Sequence, residues 1–240
     1  MSRSRRDPRR GLRPPSLLPN VRAVPDQAAF VPPSRDCPLC PRLVDFRRLH
    51  RAQHADWHNA PVPSFGPITA RLLIVGLAPG LRGANRTGRP FTGDYAGDLL
   101  YSTLLKFGLA HGTFRADPND GLELLDCRIA NAVRCVPPEN KPLPQEFGHC
   151  RPFLVSEIAT MPKLEVLLAL GKGAHDQALR ALNVRPAGKF PFVHNRMHEL
   201  PNGLALADSY HCSRYNTNTG RLTEAMFHDV FRSIAGRLAG

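Results

Sequence analysis

No apolar run in this sequence approaches the ~20 residues of a membrane-spanning helix, so a membrane protein is not expected. The first 35 residues lack the apolar segment of a secretory signal, and a cytoplasmic protein is the expectation. Without export, a disulfide framework loses its rationale, and the six cysteines (37, 40, 127, 135, 150 and 212) read better as metal or cluster ligands. Acidic residues are in deficit: 20 against 32 Lys and Arg give a net charge of +12 over 240 residues. A strongly acidic partner, nucleic acid first, fits that balance. No internal repeat is visible. Two phosphate-binding patterns are also missing. No Gly-x4-Gly-Lys-Ser/Thr run occurs, and the glycines at 76, 80 and 83 have the wrong spacing for Gly-x-Gly-x-x-Gly, with Pro79 between them. The loop at 76–94, GLAPGLRGANRTGRPFTGD, therefore builds something other than a nucleotide clamp.

The charge that is present lies unevenly. Residues 1–35 hold eight arginines against Asp7 and Asp26, which gives +6, and they are rich in proline. This stretch reads as a disordered basic arm, either solubilising or phosphate-binding. Residues 36–240 read as a single α/β domain. Four short apolar runs look like buried parallel strands: 71–77, 128–133, 166–170 and 204–207. Helical patterns over 97–109, 146–161, 172–182 and 223–238 alternate with them, and 189–200 reads as a hairpin or irregular loop. Such alternation predicts a three-layer sandwich with a central four-stranded, mainly parallel sheet flanked by helices.

Ligands of open parallel sheets bind at the carboxyl ends of the strands. The loops there carry suggestive groups. Phe91 offers an aromatic face for a flat ligand, and Asp94 a nearby carboxylate; a core Phe and a helix-capping Asp would explain the same residues. Asn131 offers a donor and an acceptor together, as the edge of a flipped uracil demands, or else satisfies backbone groups. His211 is placed to donate to an oxygen that gains charge, unless it is a satisfied core histidine. Cys37 and Cys40 form C-x2-C, and Cys135 and Cys150 form C-x14-C far downstream. Only a folded domain unites these pairs, and their thiolates suit zinc or an iron–sulfur cluster equally. Cys127 reads as core and Cys212 as a pocket neighbour. His54 and His58, at i and i+4 around Trp57, read as a solvated and DNA-facing surface rather than a metal site.

The stretches GLAPG…NRTGRPFTGD (76–94), NAVRCVPPENKP (131–142) and HCSRYNTNTGRLT (211–223) resemble the uracil-DNA glycosylase superfamily, and within it the family 5, or type B, enzymes. The resemblance covers most of residues 36–225. It implies a monofunctional DNA-repair hydrolase, nucleoid-associated and monomeric, that extrudes uracil, hypoxanthine or ethenocytosine and leaves an abasic site. It implies a [4Fe–4S] cluster on Cys37, Cys40, Cys135 and Cys150. Carried over by position, Phe91 stacks on the base, Asn131 reads its edge, His211 contacts its carbonyl and Asp94 positions water or stabilises the sugar cation. Gly76, Ala78 and Gly80 complete the base pocket, Gly80 leaving room for larger lesions. Ser213, Arg214, Tyr215 and Asn216 are the expected DNA contacts. Related families carry an acid or asparagine just after the leading glycine, where this chain has Leu77 and Ala78, and proline where it has Cys212. A non-catalytic or zinc-dependent nucleic-acid-binding protein on the same scaffold is the alternative.

Overall fold

The computed structural model describes residues 30–240. Most of the arm expected over 1–35 lies outside the described residues. In chain order the elements are α1 (Pro41–Gln53), β1 (Leu72–Gly76), α2 (Ala84–Thr87), α3 (Tyr95–Lys106), β2 (Ala110–His111), β3 (Glu123–Leu124), β4 (Cys127–Asn131), α4 (Pro144–Thr160), β5 (Val166–Leu170), α5 (Lys172–Ala181), β6 (Met197–Glu199), β7 (Ala205–Ser209), α6 (Arg214–Asn218) and α7 (Glu224–Ala239).

Five strands make the main sheet, in the order β4-β1-β5-β7-β6. The four expected strands all pair in parallel, and β6 is added antiparallel along β7. The sheet therefore has one strand more than the expected four, formed inside the segment read as hairpin or loop. Its burial explains the reading of the rest. Every residue of β1, β5 and β7 is buried, because helices cover both faces. Leu72 and Ile74 point into one core with Leu100 and Leu104 of α3 and Phe227 and Phe231 of α7. Leu73 and Val75, next in register, point into the other core with Leu154 of α4 and Ala174 and Ala178 of α5. The period-two alternation of side chains thus feeds two helical layers from one run of leucine, isoleucine and valine. A separate short pair, β2 with β3, is antiparallel.

Helix starts follow the local chemistry. The Thr223 hydroxyl accepts from the Met226 amide and caps α7. Pro144 opens α4, where a missing amide hydrogen costs nothing, and the Glu146 carboxylate accepts from the Leu143 amide. No helix among the described residues is long and apolar enough to cross a membrane.

Candidate active site

The strand order reverses beside β1, since β4 lies on one side of it and β5 on the other. Crevices open at such switch points, beyond the carboxyl ends of the strands. Here a cavity of about 510 Å³ opens there, lined among others by Ala78, Gly80, Phe91, Asp94, Asn131, His211, Ser213 and Arg214. Four loops widely separated in sequence meet in it.

Asn131 closes β4 directly opposite Gly76 of β1 and is 3% exposed. A Cβ at Gly76 would lie 2.4 Å from the Asn131 Oδ1 and 2.8 Å from the Phe91 Cζ. Glycine is what lets the amide and the ring share this floor, although Gly76 itself is not among the lining residues. Phe91 adopts a left-handed backbone (φ +52°), a strained choice for an aromatic residue. The flanking residues hold it there. Tyr101 donates to the Pro90 carbonyl at 2.6 Å, and the Arg89 Nε donates to the Thr92 hydroxyl at 2.8 Å. The Phe91 ring faces His211 at 5.8 Å between centroids, tilted by 30°.

His211 follows β7, and the Asn216 side chain donates to its carbonyl at 2.8 Å. Burial lowers the His211 pKa to about 4, so the ring is neutral at pH 7 and retains one N–H to donate. Asp94 stands at the N-cap of α3 without a side-chain capping bond. Its Oδ1 is buried and has no hydrogen-bond partner among the described residues. Burial raises its pKa; the Gly97 and Ala96 amides lie close enough to oppose that rise without closing a hydrogen bond. A carboxylate left unpaired against a cavity and a neutral imidazole across from it form an arrangement suited to a reaction that develops opposite charges.

Of the expected DNA contacts, Ser213 and Arg214 line the cavity, and the Arg214 guanidinium lies 5.2 Å over the Tyr95 ring. Tyr215 stands outside the lining, 72% exposed. Asn216 turns inward to the His211 carbonyl instead of outward.

A sequence model of the Uracil DNA glycosylase superfamily matches residues 63–235. The chain belongs to that superfamily. It is 43% identical over 220 residues to a type-5 uracil-DNA glycosylase of Thermus thermophilus, covering 90% of this chain and 99% of the relative. A type-5 enzyme of Mycobacterium leprae is 43% identical over 85% of this chain and 92% of its own length. One from Pyrobaculum aerophilum is 37% identical over 83% and 88%. The chain falls in the type-5 group of the superfamily.

A second cluster of chemistry in this superfamily member lies beside the first. Cys37, Cys40, Cys135 and Cys150 surround a small cleft walled by Leu43, Val133 and Phe153. Burial pushes the Cys40 thiol up to about 11 and Cys135 up to about 12, and raises Cys150. Nitrogens point at the sulfurs: the Arg47 Nη1 lies 3.4 Å from Cys135, the Arg134 amide 3.3 Å from Cys150, and the His149 Nδ1 3.7 Å from Cys40. No three of these sulfurs come within 4.8 Å of one another among the described residues. Cys127 is buried beneath α3, its thiol donating to the Leu109 carbonyl, and Cys212 is fully buried.

Several residues escaped the sequence reading. Asn140, also left-handed (φ +56°), and Tyr95 line the cavity. Asn140 sits in the Pro-Pro-Glu-Asn turn, whose left-handed backbone appears only in the structure. His175, His198 and Asp208 bring three donor atoms within 4.8 Å, all buried. Their hydrogen bonds give them another task. The His175 Nε2 donates to the Phe190 carbonyl at 2.9 Å and its Nδ1 to Asp208 at 2.7 Å, so both nitrogens carry protons. Burial opposes that charge, but Asp208 prevails and raises the His175 pKa. The trio ties α5 and β6 to β7. His54 and His58 do not share a helical face, because α1 ends at Gln53; His54 stacks on Trp57 at 3.9 Å, and His58 bonds to the Pro61 carbonyl.

Proposed function

We propose that this chain excises uracil from DNA by hydrolysing the N-glycosidic bond, and that it also accepts larger lesions such as hypoxanthine and ethenocytosine. The observation that carries the reading is the convergence of Phe91, Asp94, Asn131 and His211 on one cavity of about 510 Å³. A base stacked in a duplex is out of reach, so the nucleotide must rotate into the cavity. Phe91 then stacks on the base, and the Asn131 amide, free of any hydrogen bond among the described residues, meets its polar edge. Cleavage leaves positive charge on the sugar and negative charge on the base. Neutral His211 donates to the base oxygen as charge gathers there, which avoids trading one buried ion for another. Ionised Asp94 opposes the sugar cation and orients water for attack, with the Asn140 amide in the same cavity as a further water ligand. No lysine lines the cavity to attack the sugar, which supports a monofunctional enzyme that leaves an abasic site.

Gly80 supports the wider substrate range. It lines the cavity with no side chain where bulk would press on a ring substituent. Ser213, Arg214 and exposed Tyr215 lie at or beside the opening, where a distorted strand would pass.

The four cysteines fit a [4Fe–4S] cluster. Four thiols in an apolar cleft with N–H groups aimed at sulfur suit thiolate ligands. A tetrahedral zinc with bonds of ~2.3 Å needs sulfurs ~3.8 Å apart. No three of these sulfurs gather that closely among the described residues, and a polynuclear iron–sulfur centre would be held by Cys37, Cys40, Cys135 and Cys150. When bound, such a centre supplies a covalent staple between the segment before α1 and the β4–α4 region. The chemistry at the base requires no step from it.

The test is release of free base from oligonucleotides carrying uracil, hypoxanthine or ethenocytosine, single- and double-stranded, with Asp94→Ala as control. The expected outcome is release of all three bases by the unaltered protein, with abasic product and no strand cleavage. Release of uracil alone would refute the wider range; retention of every base would refute the enzyme. Iron and zinc content of protein purified without oxygen decides the metal.

A further inference from the structure

Among the described residues the Asp94 Oδ1 is buried without a hydrogen-bond partner. The Gly97 and Ala96 amides act on the carboxyl from one side, and the space left around it also decides where the carboxylate points. The glycines across from it leave that space. A Cβ at Gly83 would lie 2.3 Å from the Asp94 Oδ2, 2.9 Å from Cγ and 3.1 Å from Cβ. At Gly80 the same atom would lie 3.1 Å from Oδ2. Contacts below 3.0 Å between such atoms are not tolerated, so any side chain at Gly83 forces the carboxylate to move. The carboxylate is thus held in a notch cut by two missing side chains, and the wall nearest to it is Gly83.

We infer that Gly83 is a positioning residue for catalysis, allowing the Asp94 carboxylate its direction by leaving open the space that any side chain there would take. This rests on the glycosylase reading above. Gly83 is not among the residues lining the cavity, so its effect passes through Asp94. It stands at the N-cap of α2 (φ −94°, ψ −112°), directly against the Asp94 side chain. Gly80 makes a looser contact and marks the shallow side of the notch. The mechanism asks for a carboxylate held within a fraction of an ångström. Misplacement by ~1 Å costs on the order of 100-fold in rate.

The test is a double-variant cycle on uracil-containing duplex under single-turnover conditions: unaltered protein, Gly83→Ala, Asp94→Asn and both together. Uracil release by the unaltered protein, lost in Asp94→Asn, secures the reading on which the inference stands, and its absence overturns that reading first. Gly83→Ala is then expected to lower the cleavage rate about 30- to 100-fold, with duplex affinity within about threefold. Adding it to Asp94→Asn should cost nothing further. The acid limb of the Gly83→Ala rate profile should also move to lower pH, as the displaced carboxylate reaches water. A rate within threefold of the unaltered protein, or losses that multiply in the double variant, would overturn the inference. Should Gly83→Ala fail to melt cooperatively, Gly80→Ala carries the test with a loss of several-fold that vanishes on the Asp94→Asn background; persistence of that loss there overturns the inference equally.

Discussion

Replacing Arg89 with methionine tests whether the stacking ring is held in place by a buried ion pair. The Arg89 guanidinium meets Asp120 through two parallel bonds of 2.8 Å, with side chains 5% and 0% exposed. Three aromatic rings enclose the cation: Phe65, Tyr101 and Phe114, at 5.2, 5.4 and 5.7 Å. Asp120 also accepts from the Arg115 and Leu122 amides. The hydrogen bonds from Arg89 hold its carboxyl far below the usual range. Methionine matches the stem and removes the charge, which leaves a buried carboxylate with two amides for company. Breaking one side of such a pair costs ~3–5 kcal/mol. At roughly 2–4 °C per kcal/mol for a chain of this size, the melting temperature should fall by about 6–20 °C. Arg89 also bonds to Thr92, and so braces the loop in which Phe91 keeps its left-handed backbone. That conformation stores ~1–3 kcal/mol, and without the brace the ring relaxes away from His211. Cleavage should therefore slow at temperatures far below the melt. Calorimetry and single-turnover cleavage on the same preparation read both effects. The double variant Arg89→Met/Asp120→Leu should regain much of the stability and none of the rate. A single variant that loses less than ~3 °C would refute the energetic argument, and one that loses stability with full rate would refute the link to Phe91.

Two further outcomes follow from the charges in the cavity. In the proposed mechanism Asp94 acts ionised and His211 acts neutral, and each condition is met only above its own pKa, raised for Asp94 and lowered to about 4 for His211. The cleavage rate should therefore rise with pH through the acid range, with a log–log slope above one, and stay flat across neutrality; a midpoint near 6.5 would show that the ring is not desolvated. For stability the sign for Asp94 is the reverse of the usual carboxylate case. A folded pKa above the unfolded one makes its charge a burden that appears as pH rises through the ordinary carboxylate value and is complete above the raised one. Asp94→Asn should consequently melt at or above the unaltered temperature at pH 7 and lose that advantage below about pH 4; a lower melt at pH 7 would count against burial as the cause.

How much of this was readable beforehand depended on which residues did the burying. The four central strands announce themselves because both faces are covered, so their apolar runs are unbroken. α1 gave no such signal, although its buried positions Leu43, Arg47 and His50 keep helical spacing. Two of those three are basic. Arg47 is buried because it serves the Cys135 sulfur and the Cys37 carbonyl, a reason that exists only after folding. β6 has three residues, only one of them buried, and relies on β7 for its form. The site followed the same rule. Phe91, Asp94, Asn131 and His211 were visible because strand ends are where a parallel sheet collects its loops. Asn140 was hidden in a turn whose backbone conformation no residue type declares, and the bond from the Asn216 amide to the His211 carbonyl exists only after folding.

The pattern of satisfied and unsatisfied groups carries the argument one step further. Away from the cavity several buried charges meet an opposite one: Arg89 with Asp120, His175 with Asp208, and Arg134 and Arg128 with Glu157. At the cavity, among the described residues, the Asp94 Oδ1 is buried and unpartnered. Asp94 is the one carboxylate among the described residues with a buried unpartnered oxygen, and an unpaired buried group costs ~1–3 kcal/mol. Such a cost persists where the missing partner arrives with a ligand. The complement of an unpaired carboxylate, a free amide, a neutral imidazole and an aromatic face is a flat, polar-edged ring joined to a centre that turns cationic. A flipped deoxynucleotide losing its base has that shape and that charge.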